Sequence, residues 1–366
     1  DSPAWKHFDA IHKDFSSEVC NVRFGLGADG FNPFGNMNLS YNILTIILIP
    51  YNLPPWLCMK ASSLLLTLII PGYPGKNFHV FMEPVYEELA ELFEVGMLTY
   101  DASRDETFQL YAVVLCTVSD YPGLAIASGH STSSESGCFP CSDETWSLRL
   151  KHGRKFCFMG HRRFLHPDHE FRYESDLFDG LEEHKTEPTL YSKVGVLDKI
   201  KSIKNFDYSK TWKFVNGFFS HLTYWDYNLL RHNLDIMHIE KNVCEYIYGT
   251  LLGIEGKSKD NLKARLDLQD MKIRPELHPQ RKNNDKYFLP PASYTLSKKQ
   301  KQQFCKVLHD IRVPDGYSGN ISRCVNVSEG RISGLKSHDC HILMQQLLPV
   351  ALRGLLPDNV TSVLFD

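Results

Sequence analysis

Two seven-residue apolar runs, residues 43–49 (ILTIILI) and 64–70 (LLLTLII), stand either side of Pro50, Pro54 and Pro55. A helix that crosses a bilayer needs about 20 apolar residues, so neither run can do so. They read instead as two buried strands around a proline-stiffened connection. Just upstream, residues 21–27 (NVRFGLG) alternate as a strand does and deliver Asp29 into a loop rich in Gly and Pro, Asp29-Gly30-Phe31-Asn32-Pro33. Three strands in succession are therefore expected. A helix follows over 81–95, with apolar residues at 85, 89, 92 and 93 and Gly96 to stop it. Residues 108–118 (FQLYAVVLCTV) then predict a fourth buried strand, which ends at Asp120 before Tyr121-Pro122-Gly123.

Beyond this sheet the pattern changes. Residues 138–190 are rich in Cys, His, Arg and Lys without sustained periodicity, like an insertion held by something other than an apolar core, for which a metal is the usual substitute. The clearest helix covers 234–252; a basic, polar stretch follows from 257, and 276–291 is linker-like. Further helices are expected at 298–309 and 341–353. With 366 residues, 43% hydrophobic and 23% charged, the chain can bury a sizeable core and is neither disordered nor collagen-like. Its net charge of −3 advertises no global affinity for nucleic acid or an anionic membrane, so any basic surface must be local. The chain opens at Asp1 and closes in an apolar alternation, and it reads as a fragment. Ten scattered cysteines, several inside apolar runs, suit reduced thiols. The sequons at Asn38, Asn320, Asn326 and Asn359 are too common a triplet to imply glycosylation.

Gly25-Leu26-Gly27-Ala28-Asp29-Gly30 spells a dinucleotide fingerprint, but Asn32-Pro33-Phe34 cannot open the helix that the fingerprint requires. More informative are Asp29 and Asp120, each at the end of a strand; turn formation is the plain alternative for both. On the 234–252 helix, Ile236, Val243, Ile247 and Leu251 share one stripe with Glu240 in its middle, away from His238, Asn242 and Glu245. An inward carboxylate needs a cation. Two aspartates and this glutamate are an oxygen ligand set for two Mg²⁺ (or Mn²⁺) ions, as phosphoryl transfer uses; a salt bridge from Glu240 to a basic residue is the alternative. Cys138-Phe139-Pro140-Cys141 is a C-x₂-C followed by His161, His166, His169, His184, His232 and His238, which reads as one structural Zn²⁺ site. His232 with His238 and His161 with His169 are both open as completing pairs. Basic residues Lys151, Arg154, Lys155, Arg162 and Arg163 alternate with Phe156, Phe158 and Phe164, and Lys257, Lys259, Lys263, Arg265, Lys272 and Arg274 form a second group. Such mixtures suit phosphate contact or a solvated face. Residues 337–341 (SHDCH) could bind metal or start a helix.

Residues 25–35 (GLGADGFNPFG), 50–56 (PYNLPPW), 100–103 (YDAS), 159–165 (MGHRRFL) and 230–242 (LRHNLDIMHIEKN) resemble, in order, the transposases of plant CACTA (En/Spm-type) elements. From about residue 334 the chain is similar to the start of an uncharacterised region that follows the transposase domain in those proteins. The resemblance implies an α/β fold: a ribonuclease-H-like mixed sheet flanked by helices, with a Cys/His-rich insertion and a mainly helical C-terminal part. It divides the chain into a core at 1–256 (insertion about 121–230, with the zinc site), a basic linker at 257–333 and a truncated domain at 334–366. It assigns Asp29, Asp120 and Glu240 to a DDE triad, with Glu182, Glu183 and Glu245 as nearby alternatives for the third member. Similarity to cut-and-paste recombinases, which carry C-x₂-C after the second aspartate and a His pair before the glutamate, favours His232 and His238 as zinc partners of Cys138 and Cys141. The implied function is transposon-end cleavage and strand transfer on double-stranded DNA, in the nucleus, by a homo-oligomer. An inactive or domesticated remnant that binds DNA or protein is the second reading, and a nuclease of similar fold the third. Gly129-His130-Ser131 departs from the family pattern, which has an aromatic residue after the glycine.

Overall fold

The computed structural model describes residues 2–34, 41–72, 74–128, 134–138, 141, 144–188, 222–282, 286–314 and 320–365. The chain forms two compact units, each built from two stretches: Asp1–Ser142 with Thr189–Asp235, and Asp143–Pro188 with Ile236–Asp366. Gly129-His130-Ser131 lies outside the described residues.

The first unit is built on a five-stranded mixed sheet of β1 (Val22–Phe31), β2 (Ile43–Pro50), β3 (Leu65–Pro71), β4 (Ala112–Ser119) and β5 (His232–Leu234), in the order β3-β2-β1-β4-β5. β1, β2 and β3 are antiparallel neighbours, while β4 runs parallel to β1 and β5 parallel to β4. A mixed α/β architecture is thus present, with helix α1 (Pro3–Ile11) at its start and helix α2 (Phe78–Glu94) between β3 and β4. Gly96, at φ +74°, ends the turn after α2, where a side chain would be strained.

Three expectations need correction. β1 does not release Asp29 into a loop: it runs on to Phe31 because Asp29, Gly30 and Phe31 pair with Thr45, Leu44 and Ile43 of β2. β3 is an edge strand rather than a buried one, with Ile70 enclosed and Leu65, Leu66 and Ile69 exposed. The run at 108–118 divides at Tyr111: residues up to Leu110 form a hairpin with Met97–Asp101, and only β4 enters the sheet, buried along almost its whole length. Gly25 lies inside β1 under the ring of Tyr51, where an added Cβ would stand 2.2 Å from the hydroxyl oxygen. That glycine serves packing.

Leu26, Ile46, Ile70 and Val113 of the sheet close on Met82, Val85 and Leu89 of α2 and on Phe8 of α1. β5 is short and reaches β4 only from Thr117 onward. Its place beside Val114 is taken by side chains: the Val114 amide donates to the Tyr224 hydroxyl at 3.0 Å, and Asn228 Nδ2 donates to the carbonyls of Val114 and Leu115 at 3.1 and 2.9 Å. The backbone of a central strand is thereby satisfied without a neighbour.

The second unit is mainly helical. Its core joins α3 (Ile236–Leu252), α5 (Lys298–Asp310) and the helix that begins with α6 (Ser337–Ile342) and continues to Leu352 through a π-turn at Leu343–Leu347. Residues 337–341 are a helix start. Ser297 opens α5 with a capping box to Gln300. The short helix α4 (Leu262–Asp270) is capped by Asn261. The terminal alternation forms a helix, Asp358–Phe365, from which Val360, Leu364 and Phe365 pack against the core while Val363 is exposed.

The 144–188 stretch has a small hairpin, Ser147–Arg149 with Phe156–Phe158, and short 3₁₀ turns. Arginines organise its interior. Arg162, about 1% exposed, donates to the carbonyls of Phe171 (3.0 Å) and Leu181 (2.7 Å) and to Asp179 Oδ1 (2.9 Å). Arg163 donates to the Thr186 carbonyl at 2.7 Å and to Glu144 Oε2 at 2.8 Å, and Arg172 to the carbonyls of Leu165 and Lys185. One planar cation with five donors can satisfy several carbonyls of irregular chain at once.

Candidate active site and metal-binding residues

The register of the first unit sets the candidate site. Ala28 of β1 pairs with Ser119 of β4, and Ser119 pairs with Leu234 of β5. The next residues along the three strands are Asp29, Asp120 and Asp235. The Asp235 amide donates to the Ser119 carbonyl at 2.8 Å, so the ladder extends to this row. Neighbouring strands stand about 4.8 Å apart, which sets the three aspartate backbones side by side at one end of the sheet. Asp29 is exposed, and Asp120 and Asp235 are half-buried.

Local chemistry holds the first two. Asp29 Oδ1 accepts from the Gly30 amide at 2.8 Å. Asp120 Oδ1 accepts from the Gly123 amide at 2.6 Å, at the start of the helix Tyr121–Ser128. A Cβ on Gly123 would stand 2.8 Å from that oxygen and 2.9 Å from Ser119 Cβ, so glycine is what lets the helix close on the carboxylate. The turn role foreseen for Asp120 is real, and one oxygen performs it.

Asp235 was missed by sequence reasoning. It sits inside the quoted NLDIMH segment, but only the pairing of β5 with β4 reveals that it shares a row with Asp29 and Asp120. No signal in the sequence marked it, because the helix expected over 234–252 takes in residue 235 and the strand before it is only three residues long.

Glu240 belongs to the second unit. Its helix α3 buries Cys244, Tyr248, Leu251 and Leu252, whereas Ile236 and Val243 of the expected stripe are 68% and 40% exposed. Glu240 still leads the buried face, one turn ahead of Cys244. Its Oε2 lies 2.6 Å from His341 Nδ1, so the inward carboxylate has found a basic partner on α6. Among the alternatives, Glu245 pairs with Lys257 (3.1 Å), Glu182 with His184 (3.0 Å), and buried Glu183 accepts from the Lys185 amide (3.0 Å).

Of the zinc candidates, Cys138 is half-buried and Cys141 buried, both as thiols, in the first unit. The Tyr121 hydroxyl donates to the Gly137 carbonyl, which ties the chain just before Cys138 to the helix after Asp120. His232 is on β5 in the same unit. Burial, aided by the neighbouring Arg231 charge, pushes its imidazole down to about 4, so it is neutral at physiological pH. Its Nδ1 is 2.7 Å from Thr117 Oγ1. With Nδ1–H donating to that oxygen, Nε2 is the nitrogen that carries a lone pair, which is the form a metal requires. His238 is exposed on the first turn of α3 in the second unit. His161 and His169 are also in the second unit, and His169 Nδ1 accepts from the Phe171 amide at 3.2 Å.

The basic groups divide. Arg162, Arg163 and Arg265 are buried and engaged internally, Arg265 with both oxygens of Asp260 at 2.6 and 2.7 Å. They do not offer phosphate contacts. Lys151, Arg154, Lys155, Lys259, Lys263 and Lys272 remain on the surface, Lys259 lying 3.6 Å from the centre of the Tyr246 ring.

No helix among the described residues is long and apolar enough to cross a membrane. No curated protein and no solved structure matches the chain. A family model described as Transposase family tnp2 matches residues 1–203, more than half of the sequence, and its span takes in Asp29, Asp120, Cys138 and Cys141. The chain belongs to the tnp2 transposase family.

Proposed function

We propose that the chain is the catalytic part of a DNA transposase of the plant CACTA type, on a ribonuclease-H-like sheet, that cleaves transposon ends and joins them to target DNA. The observation that carries this reading is the placement of Asp29 and Asp120 side by side on adjacent parallel strands, in one row at one end of the sheet and within the span that matches a transposase family. The sheet order supports it too: three antiparallel strands, then a parallel fourth that carries the second aspartate.

The donor set fits Mg²⁺ or Mn²⁺, since carboxylate oxygens are the ligands these ions prefer. Bound there, the ions would supply charge for in-line displacement at phosphorus, first by water and then by the freed 3′-hydroxyl. The role of this chain is to hold and orient. Asp29 and Asp120 present carboxylates at one end of the sheet, and the Gly123 amide holds one Asp120 oxygen. Glu240 is the third carboxylate expected from the family pattern. Asp235 is the competing third member, favoured by its row position and by the engagement of Glu240 with His341. Cys138, Cys141 and His232, with His238, carry the sulfur and nitrogen donors of a structural Zn²⁺ site. Double-stranded DNA is the substrate, the nucleus the compartment and a homo-oligomer the working form.

The engagement of Glu240 also favours a second reading, a remnant that binds DNA without cutting it. A nicking assay on a transposon-end duplex with the full-length protein separates them. Nicking should need Mg²⁺ or Mn²⁺ and be lost in Asp29→Asn and Asp120→Asn with DNA binding retained. Loss in Asp235→Asn but not Glu240→Gln would name Asp235 as third ligand, and the reverse would name Glu240. Binding without nicking in any metal would leave the remnant.

A further inference from the structure

The second unit contains a cluster that the transposase chemistry does not use. His152, Asp267 and Asp270 each offer one ligand atom, and these atoms all lie within 4.8 Å of one another. His152 stands in the turn of the Ser147–Arg149 and Phe156–Phe158 hairpin; Asp267 and Asp270 are one turn apart on α4 and share a face. His152 Nε2 is 3.2 Å from Asp270 Oδ2. Bonds of 2.0–2.2 Å in a tetrahedral site keep ligand atoms about 3.4 Å apart, so this pair is already at the bite of a bound ion.

Asp267 gives the cluster its direction. It is 3% exposed, and its two oxygens accept from the amides of His152 (2.8 Å) and Gly153 (2.9 Å). Both donors are neutral. Among the described residues no Lys or Arg forms an ion pair with Asp267, while Lys151 reaches only the exposed Asp270, at 3.8 Å. A buried carboxylate without a cation is costly, and each oxygen keeps a second lone pair beside its amide bond. A divalent ion would neutralise that charge.

We propose that His152, Asp267 and Asp270 form a metal site, and that its ion is Zn²⁺. One imidazole with two carboxylates suits a borderline ion; Mg²⁺ and Ca²⁺ favour all-oxygen shells. The site is structural. It ties the hairpin of the 143–188 stretch to a helix of the 236–366 stretch, the two pieces of chain from which this unit is assembled. It does not depend on the transposase reading, nor on the C-x₂-C zinc site.

Co²⁺ distinguishes the two zinc sites, because thiolate ligation gives a sulfur-to-cobalt charge-transfer band and imidazole with carboxylate does not. The intact chain carrying Cys138→Ser and Cys141→Ser, stripped with a chelator and titrated with Co²⁺, should still bind one equivalent with the intense visible d–d bands of four-coordinate cobalt, which an all-carboxylate site does not give, and no charge-transfer band. Adding Asp270→Asn or His152→Gln, both at partly or fully exposed positions, should abolish that equivalent. As a second measurement that leaves the cysteines intact, Asp270→Asn in the otherwise unchanged chain should bind one Zn²⁺ fewer by calorimetry. Binding unaltered by both substitutions would overturn the site, as would a cysteine variant that folds and takes up no Co²⁺.

Discussion

Replacing Arg162 with alanine distinguishes a structural arginine from one that grips phosphate. The side chain is about 1% exposed and its guanidinium spans three kinds of partner: the Asp179 carboxylate at 2.9 Å, the carbonyls of Phe171 and Leu181 at 3.0 and 2.7 Å, and the Phe178 ring at 4.4 Å. Removing one member of a buried ion pair costs about 3–5 kcal/mol, because the other charge stays buried. Asp179 is 8% exposed at its side chain; its Oδ2 has no hydrogen bond among the described residues, and its Oδ1 would keep only the long bond from the Leu181 amide, at 3.3 Å. For a unit of this size each kcal/mol moves the unfolding midpoint by about 2–4 °C, which gives a fall of about 6–20 °C. Arg162→Lys should fall between the wild type and alanine, since one ammonium cannot serve both the carboxylate and the carbonyls. Lys155→Ala, at an exposed position in the hairpin just before the turn that carries Arg162, should stay within about 0.5 kcal/mol. Thermal unfolding by circular dichroism reads all three. An Arg162→Ala protein with an unchanged midpoint, together with weaker DNA binding and a shallower salt dependence, would refute the reasoning and return Arg162 to the phosphate contacts.

Two further predictions use single groups of the first unit. In zinc-free protein, His232 takes up its proton near pH 4 when folded but near 6.5 when unfolded, so the stability it contributes is full above pH 6.5 and lost as pH falls toward 4, by about 2–3 kcal/mol; urea titrations from pH 7 to 4 should show this slope, and His232→Asn should flatten it. Gly123→Ala would place a methyl 2.8 Å from Asp120 Oδ1 and push the carboxylate out of its row, so metal-dependent nicking should drop at least tenfold with DNA binding unchanged; an equally active variant would show that the position of Asp120 does not matter.

Legibility followed the range of the interactions involved. The runs at 43–49 and 64–70 announced strands because seven apolar residues in a row have few other uses, and the structure has β2 and β3 there. Which of the two lies at the edge was not readable, since exposure of Leu65, Leu66 and Ile69 depends on what lies beside the strand, and the run itself carries no mark of it. Helix α3 was evident from its period, but its face was misjudged. Burial of Cys244 and Tyr248 is decided by packing against the 337–352 helix, some ninety residues later in the chain. The arginines at 162 and 163 were misleading for a related reason: a charged side chain reads as surface until the carbonyls that it satisfies are known.

The candidate site shows the same limit at the level of single residues. Asp29 and Asp120 were found because each follows an apolar strand, a mark that lies within a few residues of sequence. Asp235 carries no such mark, because β5 is three residues long and its pairing is with a strand more than a hundred positions earlier. Glu240 was chosen on the physical rule that an inward carboxylate must find a partner, and it has one, since His341 Nδ1 lies 2.6 Å from its Oε2. The rule cannot say whether that partner is a metal or a histidine. A carboxylate chosen by burial alone is therefore a weaker candidate than one placed by strand register, because register fixes neighbours as well as depth. On that ground Asp235→Asn is the more informative substitution. Asparagine caps a helix as well as aspartate does, so the start of α3 is preserved while the negative charge is removed, and any loss of nicking then reports on the charge.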